Sequence, residues 1–127
     1  MIHEMNDMTS ERNAIFWLSA ALGIVTNGIS VGFAAASAPG GGPLGLYAGS
    51  RSIALLAAAV GVALARSRPG VVTVVLASAL FQGLDALIGL SLGDFAKTLG
   101  PAVLAAACAA AGSVLSRRRG DSRVKPS

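Results

Sequence analysis

Between Arg12 and Arg51 the chain carries no charged side chain. Within that run Ala14 to Ala38 reads AIFWLSAALGIVTNGISVGFAAASA, longer than the roughly 20 apolar residues a helix needs to cross the hydrocarbon core of a bilayer. Such a segment is either a transmembrane helix or the apolar part of a signal peptide. The triplet Ala36-Ser37-Ala38 fits signal cleavage, but the residues before Ala14 are acidic overall. The run also exceeds the roughly 7 to 15 residues of a signal core, so it reads as a transmembrane helix. The rest of the chain agrees: 54% of its 127 residues are hydrophobic and only 13% charged, against about 25% charge in ordinary globular chains.

Charges and helix breakers divide the sequence into four apolar segments: 14–38, 44–65, 71–92 and 98–116. PGGGP at Pro39 to Pro43 ends the first, and RSRPG at Arg66 to Gly70 ends the second. Gly93-Asp94 and Lys97 separate the third from the fourth, and Arg117-Arg118-Arg119 ends the fourth. Pro101 belongs in a first helical turn, where a missing N–H costs little, which predicts a helix start near Thr98. In lipid only helices and closed barrels satisfy their backbone groups, and segments of about 20 residues without period-2 alternation are helices. The expected fold is therefore all-α, an antiparallel four-helix transmembrane bundle spanning 14–116, in the inner or plasma membrane of a bacterial cell. Residues 1–13 and the basic tail 117–127 read as polar, disordered and cytoplasmic.

The basic residues predict the orientation. With four crossings, Arg12, Arg66, Arg68, Arg117, Arg118, Arg119, Arg123 and Lys125 share one side, and Lys97 alone lies on the other. That asymmetry places both termini in the cytoplasm. It also accounts for the basic isoelectric point without nucleic acid, for which no fold or aromatic platform is present. The tail is suited instead to anionic headgroups.

Two charges fall inside the apolar segments. Arg51 stands seventeen residues before Arg68 and Asp85 seventeen after it, so on two antiparallel helices they lie level, roughly 22 Å from the cytoplasmic end. An Arg or Asp near a helix centre costs about 2.5 to 3.5 kcal/mol on insertion scales, and pairing lowers the penalty; a salt bridge is expected. Asn27 reaches the same layer on the first helix. Tyr47 shares the face of Arg51 four residues on, and Gln82 the face of Asp85 three residues on. The expected site is thus a polar cluster of Arg51, Asp85, Gln82, Asn27 and Tyr47. Each member also has a plainer role: the ion pair as a register lock, Asn27 and Gln82 as interhelical hydrogen bonds, and Tyr47 as an interfacial anchor, the role also read for Trp17.

Other chemistries find no support. There is no GxxxxGK[ST], HExxH, GxSxG with a triad histidine, or CxxCH, so no nucleotide, metal or haem motif is present. The glycine-rich GGGPLG at Gly40 to Gly45 reads as a turn. His3 lies in the polar front. Cys108, the sole cysteine, reads as a small buried residue. Small-residue pairs four apart, Gly28 with Gly32, Gly45 with Gly49 and Gly89 with Gly93, permit close helix approach within the bundle or between copies.

The segments GLYAGSRSIALLAAAVGVAL and LFQGLDALIGLSLGD resemble the small uncharacterised four-helix membrane proteins of the DoxX-like kind. Such families often carry a Gly-x-Arg followed by an acidic residue in the second helix and an Asp in the third. The matching positions are Gly49, Arg51 and Asp85, with Ser52 where the acid would be common. Some members are associated with quinone-linked oxidoreductases, which makes a quinone the cofactor the resemblance implies and a membrane subunit of an oxidoreductase the implied enzymatic context. The expected partners are the lipid bilayer, a lipophilic small molecule at Arg51 and Asp85, and a second copy or another membrane subunit. The competing functions are a small proton-coupled transporter or transporter subunit using Asp85, and an assembly subunit of a membrane complex.

Overall fold

A computed structural model describes residues 1–37 and 39–117, with the side chain of Leu44 excepted. They form four helices, α1 (Ile2–Ser37), α2 (Gly42–Leu64), α3 (Arg68–Ser91) and α4 (Phe95–Arg117). Each contains a stretch long and apolar enough to cross a membrane. The side chains are distributed accordingly. Leu18, Val25, Phe33, Leu46, Ile53, Leu80, Leu87 and Val103 face outward, whereas Ser19, Thr26, Asn27, Ser52, Ser78 and Gln82 are buried. Water does not tolerate so continuous an apolar exterior; lipid does, and the chain has the make-up of a multi-pass membrane protein.

The turns are short because the sequence stops and restarts each helix within a few residues. After α2, Arg66 takes a left-handed φ of 50°, and the N–H groups of Ala65, Arg66 and Ser67 return to the carbonyls of Gly61, Ala63 and Val62. Ser67 then caps α3, its hydroxyl accepting from the Gly70 N–H at 3.2 Å, with Pro69 in the first turn. After α3, Gly93 supplies a φ of 69°. Asp94 accepts from the Lys97 N–H at 3.2 Å and pairs with the Lys97 ammonium at 3.1 Å. That backbone hydrogen bond, then the one from the Lys97 side chain, holds the Asp94 carboxyl below its ordinary value.

Two sequence expectations need correction. Residues 2–13 are helical, not disordered: α1 begins at Ile2. No Pro or Gly interrupts 2–13, and extending an existing helix needs no new nucleus. This front is exposed throughout and extends about 20 Å beyond the apolar stretch. The fourth helix starts at Phe95, not near Thr98, because Asp94 supplies the cap. Pro101 therefore lies inside α4, and its missing N–H leaves the Lys97 carbonyl without the usual donor four residues on. The α3 backbone packs closely against that carbonyl: a Cβ on Gly89 would stand 2.6 Å from the Lys97 oxygen. The basic tail, apart from Arg117 at the end of α4, lies outside the described residues.

The helices form a ring in which α3 packs most broadly on α4 and α1 on α2; α1 also reaches α3, while α2 and α4 do not touch among the described residues. Phe16, Ala20, Ala63, Val71, Val75, Cys108 and Leu115 form the apolar core, toward the end with the α2–α3 turn. The buried polar side chains from Thr26 and Asn27 onward lie beyond it.

Two expectations follow. Gly89→Ala forces α3 off α4 and costs about 1 to 3 kcal/mol, read as a lowered melting temperature in detergent; Gly28→Ala, where nothing lies within 4 Å, leaves it unchanged. Because the Asp94 pKa is depressed by folding, its contribution is present above the unfolded carboxylate value of about 3.9 and lost as pH falls through the lower folded value. The stability difference between wild type and Asp94→Ala, measured by thermal melting, is therefore constant at neutral pH and shrinks below about pH 4.

Candidate functional site

The residues of the polar layer divide into two sets. The first lies between α1 and α3. Asn27 is buried and its Nδ2 donates at 2.8 Å both to the Gly23 carbonyl, one turn back, and to Ser78 Oγ on α3. Ser78 passes its own proton to the Val74 carbonyl at 2.9 Å. One turn further on, Gln82 Nε2 donates to Ser30 Oγ at 2.8 Å, and Ser30 donates to the Thr26 carbonyl at 3.1 Å. Thr26 Oγ1 also lies 3.5 Å from Cys108 Sγ, which ties α4 to the same layer. These groups satisfy one another. They act as interhelical hydrogen bonds, in which Asn27, Ser30 and Ser78 each also have a local backbone acceptor.

The second set lies between α2 and α3. Arg51 Nη2 donates to both carboxylate oxygens of Asp85, at 3.3 and 3.2 Å. A single nitrogen bridging two oxygens is a looser arrangement than a parallel two-nitrogen fork. The guanidinium carbon sits 4.8 Å from the centre of the Phe81 ring, within cation–π range; Phe81 is one turn before Asp85, so one face of α3 supplies both contacts. Neither charge is deeply buried, with side-chain exposures of 39% for Arg51 and 35% for Asp85. Arg51 has five N–H donors, and those not on Nη2 donate to no described residue.

The structure thus brings together Arg51 with Asp85, and separately Asn27 and Gln82 with Ser30 and Ser78. It does not join the two sets by a hydrogen bond among the described residues. Tyr47 belongs to neither: it is 73% exposed on the outside of α2. Four residues turn a helix through slightly more than a full circle, and the long Arg51 side chain swings toward α3 where Tyr47 does not follow. Ser52 is buried and donates to the Ala48 carbonyl at 3.0 Å, with no hydrogen bond to the ion pair among the described residues. Phe81 was not among the residues expected at the site; its i, i+4 relation to Asp85 was the available signal. Thr26 and Cys108 were not foreseen as a pair, because neither is charged and they lie 82 positions apart.

Compared with protein-family models, curated proteins and solved structures, the chain matches none.

The coupling between Asn27 and Ser78 is expected to be about 0.6 kcal/mol, in the range of interhelical hydrogen bonds in membranes. A double-mutant cycle with Asn27→Ala and Ser78→Ala, read by unfolding in mixed detergent micelles, measures it.

Proposed function

We propose that the protein binds a lipophilic small molecule bearing an anionic or carbonyl oxygen, such as a quinone, at Arg51 between α2 and α3 in a bacterial inner or plasma membrane. In this reading the four helices cross antiparallel with both termini in the cytoplasm. Arg51 holds the ligand oxygen, and Asp85 orients the guanidinium or accepts a proton when the ligand disturbs the pair. Arg remains charged in a protein and presents several N–H donors.

The observation that carries the reading is the half-exposed Arg51 guanidinium, lying over Phe81 with donors to spare, in a segment surrounded by apolar surface. A charge there is costly unless its remaining donors are satisfied. A carbonyl or carboxylate oxygen does that, and the adjacent ring offers a flat surface to an aromatic or isoprenoid body. The antiparallel arrangement is supported by Val62 meeting Gly70 near one end of α2 and α3 while Arg51 meets Asp85 further from the turn. The orientation is supported by the eight basic residues on one side against Lys97 on the other. Kinship with the DoxX-like kind is part of the same reading and rests on Gly49, Arg51 and Asp85 in the sequence. The same exposure favours a second reading, in which a neighbouring subunit covers the ion pair and the protein serves assembly.

The test uses Arg51→Gln, Asp85→Asn and the exchanged pair Arg51→Asp/Asp85→Arg. Folded yield is measured in detergent, and binding of a short-chain ubiquinone and of a fatty acid is measured in nanodiscs. Arg51→Gln is expected to weaken binding about tenfold or more, the worth of one charged hydrogen bond; the exchanged protein recovers yield but not binding. If exchange restores yield and no variant alters binding of either probe, the pair is architectural.

A further inference from the structure

A cavity lies far from Arg51, at the end of the bundle that carries the α2–α3 turn. Its volume is about 380 Å³, and Arg12, Asn13, Phe16, Trp17, Arg66 and Arg68 line it. Three guanidiniums from α1, the turn and the start of α3 converge on it, and among the described residues no carboxylate lines it. None of the three is in an ion pair among the described residues. Like charges brought together without a counter-charge repel one another, so the arrangement favours an anion between them.

Two further observations point to an occupant. The Arg68 Nε is buried and donates to nothing among the described residues, while its Nη2 is committed to the Leu115 carbonyl at 3.4 Å. The guanidinium that lines the cavity is therefore only partly satisfied by the described residues, and a buried donor without an acceptor is costly. Opposite the arginines, Phe16 and Trp17 supply an apolar wall; the Arg66 guanidinium carbon lies 6.0 Å from the Trp17 ring centre. The sequence sets the height of the cavity. Arg12 is the last charge before the apolar run, and Arg66 and Arg68 flank the turn between two spans. That is the level of lipid headgroups, where Trp and Arg are both favoured.

We propose that this cavity binds the phosphate of an anionic phospholipid. Arg12, Arg66 and Arg68 hold the phosphate oxygens and Trp17 packs against the glycerol and upper acyl chain. Guanidinium is suited to phosphate because its planar N–H groups match the oxygens in pairs. The site is independent of the Arg51 reading and of which leaflet faces the cytoplasm; it requires only that this end of the bundle lie at a membrane surface.

Trp17 is the chain's only tryptophan, so its fluorescence reports on this cavity alone. The full-length protein is reconstituted in mixed phosphatidylcholine and phosphatidylglycerol bilayers in which one lipid or the other carries brominated acyl chains. Quenching then gives the relative occupancy of the two lipids beside Trp17. Wild type is expected to prefer phosphatidylglycerol about tenfold, because basic residues at the membrane surface attract anionic headgroups. Arg12→Gln/Arg66→Gln, at two exposed positions, abolishes the preference, and Arg12→Gln alone, on an exposed helix face, reduces it. Arg117→Gln removes the same charge as Arg12→Gln at a described position outside the cavity lining and keeps the preference. No preference in wild type, or equal loss in Arg117→Gln and Arg12→Gln, overturns the proposal. Abolition of the preference by excess inorganic phosphate also overturns it, and assigns the cavity to a free anion.

Discussion

A backbone N–H or C=O left unpaired in hydrocarbon costs several kcal/mol, so a chain this apolar keeps its length in helices and its irregular residues at the turns. The α2–α3 and α3–α4 turns bear this out. Ser67, Gly93 and Asp94 return freed backbone groups to partners within a few residues. The one place where the ladder is broken inside a helix is Pro101, and there the α3 backbone at Gly89 closes against the exposed Lys97 carbonyl. The broad α3–α4 contact depends on a residue with no side chain.

Hydrophobicity does not hold the helices to one another, because lipid tails are as apolar as leucine. What remains is close packing and hydrogen bonding, and the protein divides them by depth. Toward the α2–α3 turn the interior is packed with Phe16, Val71, Val75, Cys108 and Leu115. Beyond it, Asn27 with Ser78 and Gln82 with Ser30 bind α1 to α3 through side chains. The ion pair of Arg51 and Asp85 lies outside that interior, between α2 and α3, and stays partly open. The molecule therefore has a closed polar layer and an open one, made by different residues of the same helix.

Depth was legible in the sequence and direction was not. A helix advances 1.5 Å per residue, so counting from Arg68 places Arg51 and Asp85 level, and the two side chains meet. The same count puts Asn27 and Gln82 near that height. Which way each points depends on the order of helices around the ring, and no local pattern encodes it in segments that are apolar on every face. Hence Asn27 and Gln82 turn inward to α3 and α1, and Tyr47 turns out. The helical front of α1 was illegible for another reason: its composition is that of a disordered segment, while its lack of breakers lets the neighbouring span extend through it. The start of α4 shifted because a single cap, Asp94, outweighed the usual position of a proline.

Because α1 runs without a break from Ile2 to Ser37, its front is a rigid lever on a membrane-spanning shaft. A change in tilt of about 10° at the bilayer surface carries the tip about 3 Å sideways over an arm of roughly 20 Å. The hydrogen bonds from Asn27 and Gln82 govern that tilt by tying the shaft to α3. A change in the angle between α1 and α3 would therefore be largest at a surface bearing His3, Glu4, Asp7 and Glu11.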